Sequence, residues 1–307
     1  MILVAGGTGH LGGELVPLLL GRGHHVRILT RNPERARQQL GDRVEFAAGD
    51  VRHEVSLQAA ADEVTVLVSA LTGFGPGGLG PRAVDYEGNL NLIRAAEAAG
   101  VHRFVLLSMH GASADHPMEL LRWKYRAEEA LRASSLDSTI VRPTVFMELW
   151  AGLIGNPIRS SGRTAVLGRG DNPVNFISVQ DVARFVEMAA LEPGLSRETI
   201  DVGGPENLTF NQVVLEIESA AGRKASVRHV PIPVMRLARS LLRPFRPDVA
   251  GMIEAGIVTD SIDMSFDAAE LQKRFPQIEL TRMAEVVRRQ FDRAATRKMP
   301  GLESRRL

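Results

Sequence analysis

The chain begins Met1-Ile2-Leu3-Val4-Ala5-Gly6-Gly7-Thr8-Gly9-His10-Leu11-Gly12. An apolar run leads into glycines at 6, 9 and 12, and a helical pattern follows from His10 to Leu20. This order of strand, glycine turn and helix constrains the fold more than any other feature. Gly6 permits a tight turn, Gly9 lets backbone approach a bound group closely, and Gly12 allows the helix to pack against the strand. The N-terminus of that helix presents unpaired N–H groups and the positive end of its dipole, which suits a pyrophosphate. A nucleotide site is therefore expected here, with Thr8, His10 and Leu11 beside the turn.

The first half continues as alternating strands and helices. Strands are predicted at Ile2–Ala5, His25–Thr30, Val44–Ala47, Val64–Ala70, Arg103–Ser108 and Ser138–Arg142. Helices are predicted at 10–20, 33–40, 55–61, 82–99 and 117–133. Strands that are apolar throughout imply burial on both faces, hence a parallel sheet between helix layers. The fold class is α/β, a doubly wound parallel Rossmann sheet with a smaller C-terminal substrate lobe. In the second half, strands are expected at 165–167, 174–177, 199–202 and 226–230, and helices at 179–190, 210–221, 234–242, 267–275 and 282–295. Residues 1–147 and 176–204 are assigned to the dinucleotide domain, and 148–175 and 205–307 to the substrate lobe.

At 307 residues the chain has ample length for a buried core. Its 37 Lys and Arg against 36 Asp and Glu leave a net charge of +1, which disfavours nucleic acid as a partner. With no cysteine there is no disulfide, thiolate metal site or thiol nucleophile. The remaining histidines show no metal-ligand spacing. No signal-peptide pattern is read at the start and the longest apolar stretch, 140–155, is interrupted, so a cytoplasmic protein without a membrane span is expected. Two segments stand apart. Residues 73–81 are glycine-rich and follow a strand end, as a lid or a plain connection. Residues 282–306 hold eight basic side chains against three acidic ones. That pattern reads as a solvated helix with a frayed end.

The second strand selects the nucleotide. NAD sites carry an acidic residue at its end, whereas an arginine suits the 2′-phosphate of NADP. Here the sequence is Ile28-Leu29-Thr30-Arg31-Asn32-Pro33, with no carboxylate. Arg31, assisted by Arg35, favours NADP(H), with NAD(H) possible.

Gly6 to Gly12, Arg31, Gly49-Asp50-Val51, the 84–104 segment, Lys124-x-x-x-Glu128, Val141-Arg142-Pro143, Asn175 to Ala183 and Val202 to Glu206 together resemble atypical short-chain dehydrogenases of the NmrA-like group. The likeness covers residues 1 to about 222. It implies that Asp50 meets the adenine amino group beside Val51, and that Ser69, Ala70 and Leu71 line the ribose–pyrophosphate side. It further implies Ser108 beside the nicotinamide, Lys124 on the nicotinamide ribose, and Pro143, Thr144, Val145 and Phe146 along the carboxamide edge. Each has an ordinary structural alternative: a turn residue for Asp50, a strand-end cap for Ser108, and a Lys124–Glu128 pair one helical turn apart.

The chain departs from the pattern at one position. Hydride-transferring relatives place a tyrosine four residues before the lysine, and here that residue is Leu120. Tyr125 lies about 100° around the helix from Lys124. Reducing an isolated ketone creates an alkoxide that needs an acid at once, whereas a quinone or enone yields a delocalised anion. The expected substrate is therefore small, apolar and conjugated. His110, two residues past Ser108, and His116 are substitute acid candidates. Ser108, Lys124 and His110 form the candidate catalytic set. The alternatives are an NADP(H)-binding regulator acting through a protein partner, or a non-redox enzyme on the same fold.

Overall fold

The computed structural model describes residues 1–75 and 77–297. Pro76 in the glycine-rich loop, and Lys298, Arg305 and Arg306 of the basic tail, lie outside the described residues.

In chain order the strands are β1 (Ile2–Ala5), β2 (Val26–Thr30), β3 (Glu45–Ala48), β4 (Val66–Ser69), β5 (Arg103–Leu107), β6 (Asp137–Pro143), β7 (Val145–Phe146), β8 (Arg163–Leu167), β9 (Val174–Ile177), β10 (Thr199–Val202), β11 (Glu206–Leu208) and β12 (Ser226–Val230). The helices are α1 (His10–Gly21), α2 (Pro33–Leu40), α3 (Val55–Ala61), α4 (Asn89–Ala98), α5 (Glu119–Arg132), α6 (Met147–Ser161), α7 (Val179–Leu191), α8 (Phe210–Ala221), α9 (Ile232–Leu242), α10 (Pro247–Thr259), α11 (Ala269–Arg274) and α12 (Met283–Arg297).

The apolar strands pair as their composition requires. Seven form one sheet in the order β10-β6-β5-β4-β1-β2-β3, and every neighbouring pair is parallel. The doubly wound Rossmann fold expected from the sequence is present. One face buries Leu15, Leu19, Ile28, Val105 and Phe185 beneath α1 and α7. The other buries Leu3, Leu67, Leu92, Phe104 and Leu131 beneath α3, α4 and α5. The strand order reverses between β1 and β4, the crevice where sheets of this kind receive ligands.

Outside that sheet, β11-β9-β7 and β12-β8 make two small sheets, which pack with α6, α8 and α12 around Phe176, Phe210, Ile154 and Ile217. Four elements went unread in the sequence: α6, α10, β7 and β11. A fifth difference is chemical. Residues 82–99 were expected as one helix, but Arg82–Gly88 is π-helical before α4 begins. The wider turn carries Asp85 into the interior, with no exposure at all. Among the described residues no helix is long and apolar enough to cross a membrane.

Candidate cofactor groove and adjoining pocket

The glycine turn adopts the geometry its composition requires. Gly6 has φ +90°, and a Cβ there would lie 2.5 Å from the Ala70 carbonyl oxygen. A Cβ on Gly12 would sit 2.3 Å from the Gly7 carbonyl oxygen, so only glycine lets α1 cross this close. Gly9 is the N-cap of α1, and no side chain caps that end. The first-turn N–H groups therefore remain available to a ligand.

A groove of about 470 Å³ runs from this turn along the carboxyl edge of the sheet. Gly6, Thr8, Gly9, Arg31, Arg35, Asp50, Val51, Ala70 and Leu71 line it. Asn32 fixes the two arginines: its side chain accepts the Arg35 N–H at 3.0 Å, and Pro33 starts α2 with its φ already helical. Both guanidinium groups are exposed, and neither has an ion pair among the described residues. Asp50 is held by Arg52 (2.6 Å), whose hydrogen bonds pull its carboxyl down to about 2. Gln39, unforeseen in the sequence, donates to the Thr8 carbonyl at 3.0 Å and joins α2 to the turn. The groove thus offers free helix N–H groups at one end and two unpaired cations at the other. Those are the donors a dinucleotide bearing an extra phosphate requires.

A second cavity of about 330 Å³ adjoins it, and both are lined by Gly73, Gly78 and Leu79. The glycine-rich loop forms this shared wall. Its neck is closed by Gly80 N–H to Gly73 O (3.1 Å), and its tip is docked on α10 by Gly77 N–H to Asp248 (3.1 Å). Phe74 packs onto the buried cluster of Met118, Leu120, Leu121 and Ala255. Leu120 lines this second pocket together with Glu119, Arg239, Arg243 and Glu254. At the position where the sequence resemblance implies a phenol, this pocket has the apolar side chain of Leu120.

The candidate catalytic residues occupy different surroundings from those expected. Ser108 is buried, and its hydroxyl donates to Glu128. Glu128, fully buried, also binds Arg142 and Arg132. Lys124 does not pair with Glu128. Its ammonium lies 3.0 Å from Asp85 and donates to the Leu107 carbonyl (3.1 Å). The reason is the π-helical turn, which brings Asp85 beneath α5. Burial pushes the Asp85 carboxyl up, opposed chiefly by the Lys124 charge. His110 lines neither cavity. Its Nδ1 sits 2.7 Å from Asp201 on β10, with the ring edge against Phe266. His116 accepts the Met118 N–H ahead of α5, and burial lowers its pKa.

Other expected cofactor contacts also face inward. Ser69 donates to Asn89 at 2.6 Å. Leu11 packs into the core, and Thr144 donates to Asn175 at 2.8 Å. Pro143 and Val145 are buried, and Phe146 packs against the α1–α7 core. His10 is exposed at the start of α1. Asp85 and Asp201 were missed in the sequence. An aspartate inside the otherwise strand-like Thr199-Ile200-Asp201-Val202 was a signal for the second, while nothing local marked the first.

The sequence pattern of the NAD(P)H-binding family matches residues 6–193. The chain belongs to that family. This agrees with the NmrA-like pattern of its motifs. Within the family's range of relatives, the chain is 31% identical over 246 residues to photosystem II assembly factor Ycf39 of Synechocystis sp., covering 80% of this chain and 75% of that protein. It is 32% identical over 241 residues to the NAD(P)H azoreductase of Xenophilus azovorans, covering 78% and 80%. Among solved structures, NADPH-dependent quinone oxidoreductase QOR2 of Escherichia coli, complexed with NADPH, matches with a TM-score of 0.77 at 22% identity, covering 95% of this chain and 100% of that one. That last likeness concerns the fold.

Proposed function

We propose that the chain is an NADPH-dependent oxidoreductase that reduces a flat, conjugated acceptor such as a quinone or enone. The observation that carries this reading is the groove with two unpaired arginines joined to a pocket walled by Leu120. When bound, NADPH supplies a hydride and leaves as NADP+. Gly6 and Gly9 admit the pyrophosphate to the α1 N-terminus, and Arg31 with Arg35 grips the 2′-phosphate. An acceptor in the adjoining pocket meets no acid at Leu120. It is held instead beside Arg243, which has no ion pair among the described residues. A guanidinium there stabilises the delocalised anion of a reduced quinone or enone until water protonates it. The names of the azoreductase and quinone oxidoreductase relatives support this class of acceptor.

Calorimetric titration tests the cofactor half. One exposed charge-assisted contact contributes about 1.5 kcal/mol, roughly tenfold in affinity. Arg31→Ala should therefore weaken NADPH about tenfold and leave NADH nearly unchanged. Equal loss for both dinucleotides refutes the 2′-phosphate assignment. NADPH consumption across a quinone and enone panel tests the second half, and no turnover on any member overturns it.

A second reading has its own support. The likeness to Ycf39, together with the inward commitment of Ser108 and Lys124 and the pairing of His110 with Asp201, favours an NADP(H)-binding protein that acts through a partner without turnover. Tight NADP(H) binding with no consumption, and partner capture that differs between NADP+ and NADPH, would select it.

A further inference from the structure

Helix α9 is anchored by Met235, which is 2% exposed, while another of its faces is bare. Val234, Leu237 and Leu241 are 54%, 63% and 64% exposed, and Phe245, just beyond the helix, is 81% exposed. Spacings of three, four and four residues align them along one ridge. Val55, Leu79, Leu149, Leu153 and Leu215 are exposed as well, but none of them belongs to a run of four, so the ridge is the most extended apolar feature left in water and needs a partner.

The charges around the ridge identify that partner's chemistry. From Ser219 to Pro247 the sequence holds Arg223, Lys224, Arg228, Arg236, Arg239, Arg243 and Arg246, with no Asp or Glu. Lys224, Arg239 and Arg246 are neutralised by Glu218, Glu254 and Asp248. Arg223, Arg228, Arg236 and Arg243 have no ion pair among the described residues and are all exposed. Arg236 lies on α9 and Arg243 directly after it, so a chain with a net charge of +1 flanks this apolar ridge with two uncompensated cations.

We propose that α9 seats this protein on the surface of an anionic lipid bilayer, with Val234, Leu237, Leu241 and Phe245 entering the boundary between headgroups and acyl chains. A helix with leucine and phenylalanine on one side and arginines around the polar remainder is built for that interface, lying in its plane without crossing it. A second copy of the chain is a poorer occupant, since a two-fold contact through the ridge would bring both copies' uncompensated cations together. The proposal shares only Arg243 with the reductase reading, and its test uses neither the groove nor the turnover.

The test is co-sedimentation of the full chain with vesicles of phosphatidylcholine alone and of phosphatidylcholine with phosphatidylglycerol, alongside light scattering for molecular mass. The protein should sediment with the anionic vesicles and stay in solution with the neutral ones. Added salt should release it. Leu237→Glu/Leu241→Glu should lower the partition coefficient at least roughly 100-fold, since two apolar anchors are lost. Arg236→Gln should lower it about fivefold. A supernatant protein with anionic vesicles overturns the proposal. So does unaltered sedimentation of the double variant. A wild-type dimer that the double variant converts to monomer also overturns it, because the ridge would then be the contact between copies. Should the double variant melt early, Arg236→Gln and the salt titration decide the matter.

Discussion

Lys124→Met isolates the buried pair beneath the groove. Methionine keeps most of the stem volume and removes the ammonium that faces Asp85 at 3.0 Å. Asp85, fully buried, would keep the Gly73 N–H at 2.8 Å but lose its counter-charge. Breaking a buried pair from one side costs about 3–5 kcal/mol. At roughly 2–4 °C per kcal/mol, the midpoint should fall by some 6–20 °C. The pH dependence is the sharper signature. Burial already raises the Asp85 carboxyl above 3.8, and Lys124 opposes that rise. Without Lys124 the folded-state value climbs further. Between 3.8 and that value the folded protein keeps a proton that the unfolded chain releases. Stability therefore falls as pH rises through the window, by up to about 1.4 kcal/mol per pH unit. Urea unfolding at pH 5 and pH 8 measures this. The deficit relative to wild type should grow with pH, and Asp85→Asn on the Lys124→Met background should flatten it. A deficit that stays constant, or shrinks as pH rises, refutes the assignment of Lys124 as the counter-ion of Asp85.

Two further predictions concern the groove. Gly6→Ala combines a positive φ with a 2.5 Å approach to the Ala70 carbonyl oxygen, so it should lose about 2–5 kcal/mol. Gly13→Ala, in the first turn of α1 with open space around its Cβ, should gain about 0.5–1 kcal/mol, and thermal melting that ranks the two variants otherwise defeats the close-approach argument. The Asp50 carboxyl, held down to about 2 by Arg52, contributes stability that is present above its ordinary 3.8 and lost as pH falls towards 2. Carbon-detected NMR titration should find that low midpoint in the wild type and one near 3.8 in Arg52→Gln, and an unchanged midpoint would break the link.

The central strands β1, β4 and β5 could be read from sequence because each is a short, largely apolar run closed by turn residues, and burial on both faces leaves no alternation to confuse with a helix. The helices that escaped notice have a physical reason in common. α6 carries Gly152, Gly155 and Pro157, and α10 carries Gly251 and Gly256. These are residues that weaken a helical pattern locally, and tertiary packing overrides the weakness. At Gly256 a Cβ would lie 2.4 Å from the Leu167 side chain, so there the small residue is what lets a neighbour approach. β7 and β11, at two and three residues, are too short for any period to show. The π-helical turn at 82–88 was hidden because it inserts its extra residue inside an otherwise regular helical run.

The site divides along the same line between local and distant information. The glycine turn and the Asn32-Pro33 start of α2 are contiguous in sequence, and their chemistry follows from residue type and spacing. Spacing also placed Lys124 one turn beyond Leu120 on the buried face of α5. It could not name the partners, because Asp85 lies 39 positions before Lys124, and Asp201 lies 91 beyond His110. Those partners change what the residues can do. A hydroxyl that donates to Glu128 has no proton left for a substrate, and a lysine bound to Asp85 and to the Leu107 and Leu71 carbonyls has spent its three donors inside the protein. With leucine in place of the phenol, no member of the usual acid set is offered to an acceptor in this arrangement. Among the cations that line the groove and the adjoining pocket, Arg31, Arg35 and Arg243 have no ion pair among the described residues, whereas Arg82 and Arg239 are paired with Glu87 and Glu254. Such a site can stabilise anions but has no positioned proton to give, and this asymmetry argues for acceptors whose reduced form survives as an anion in water.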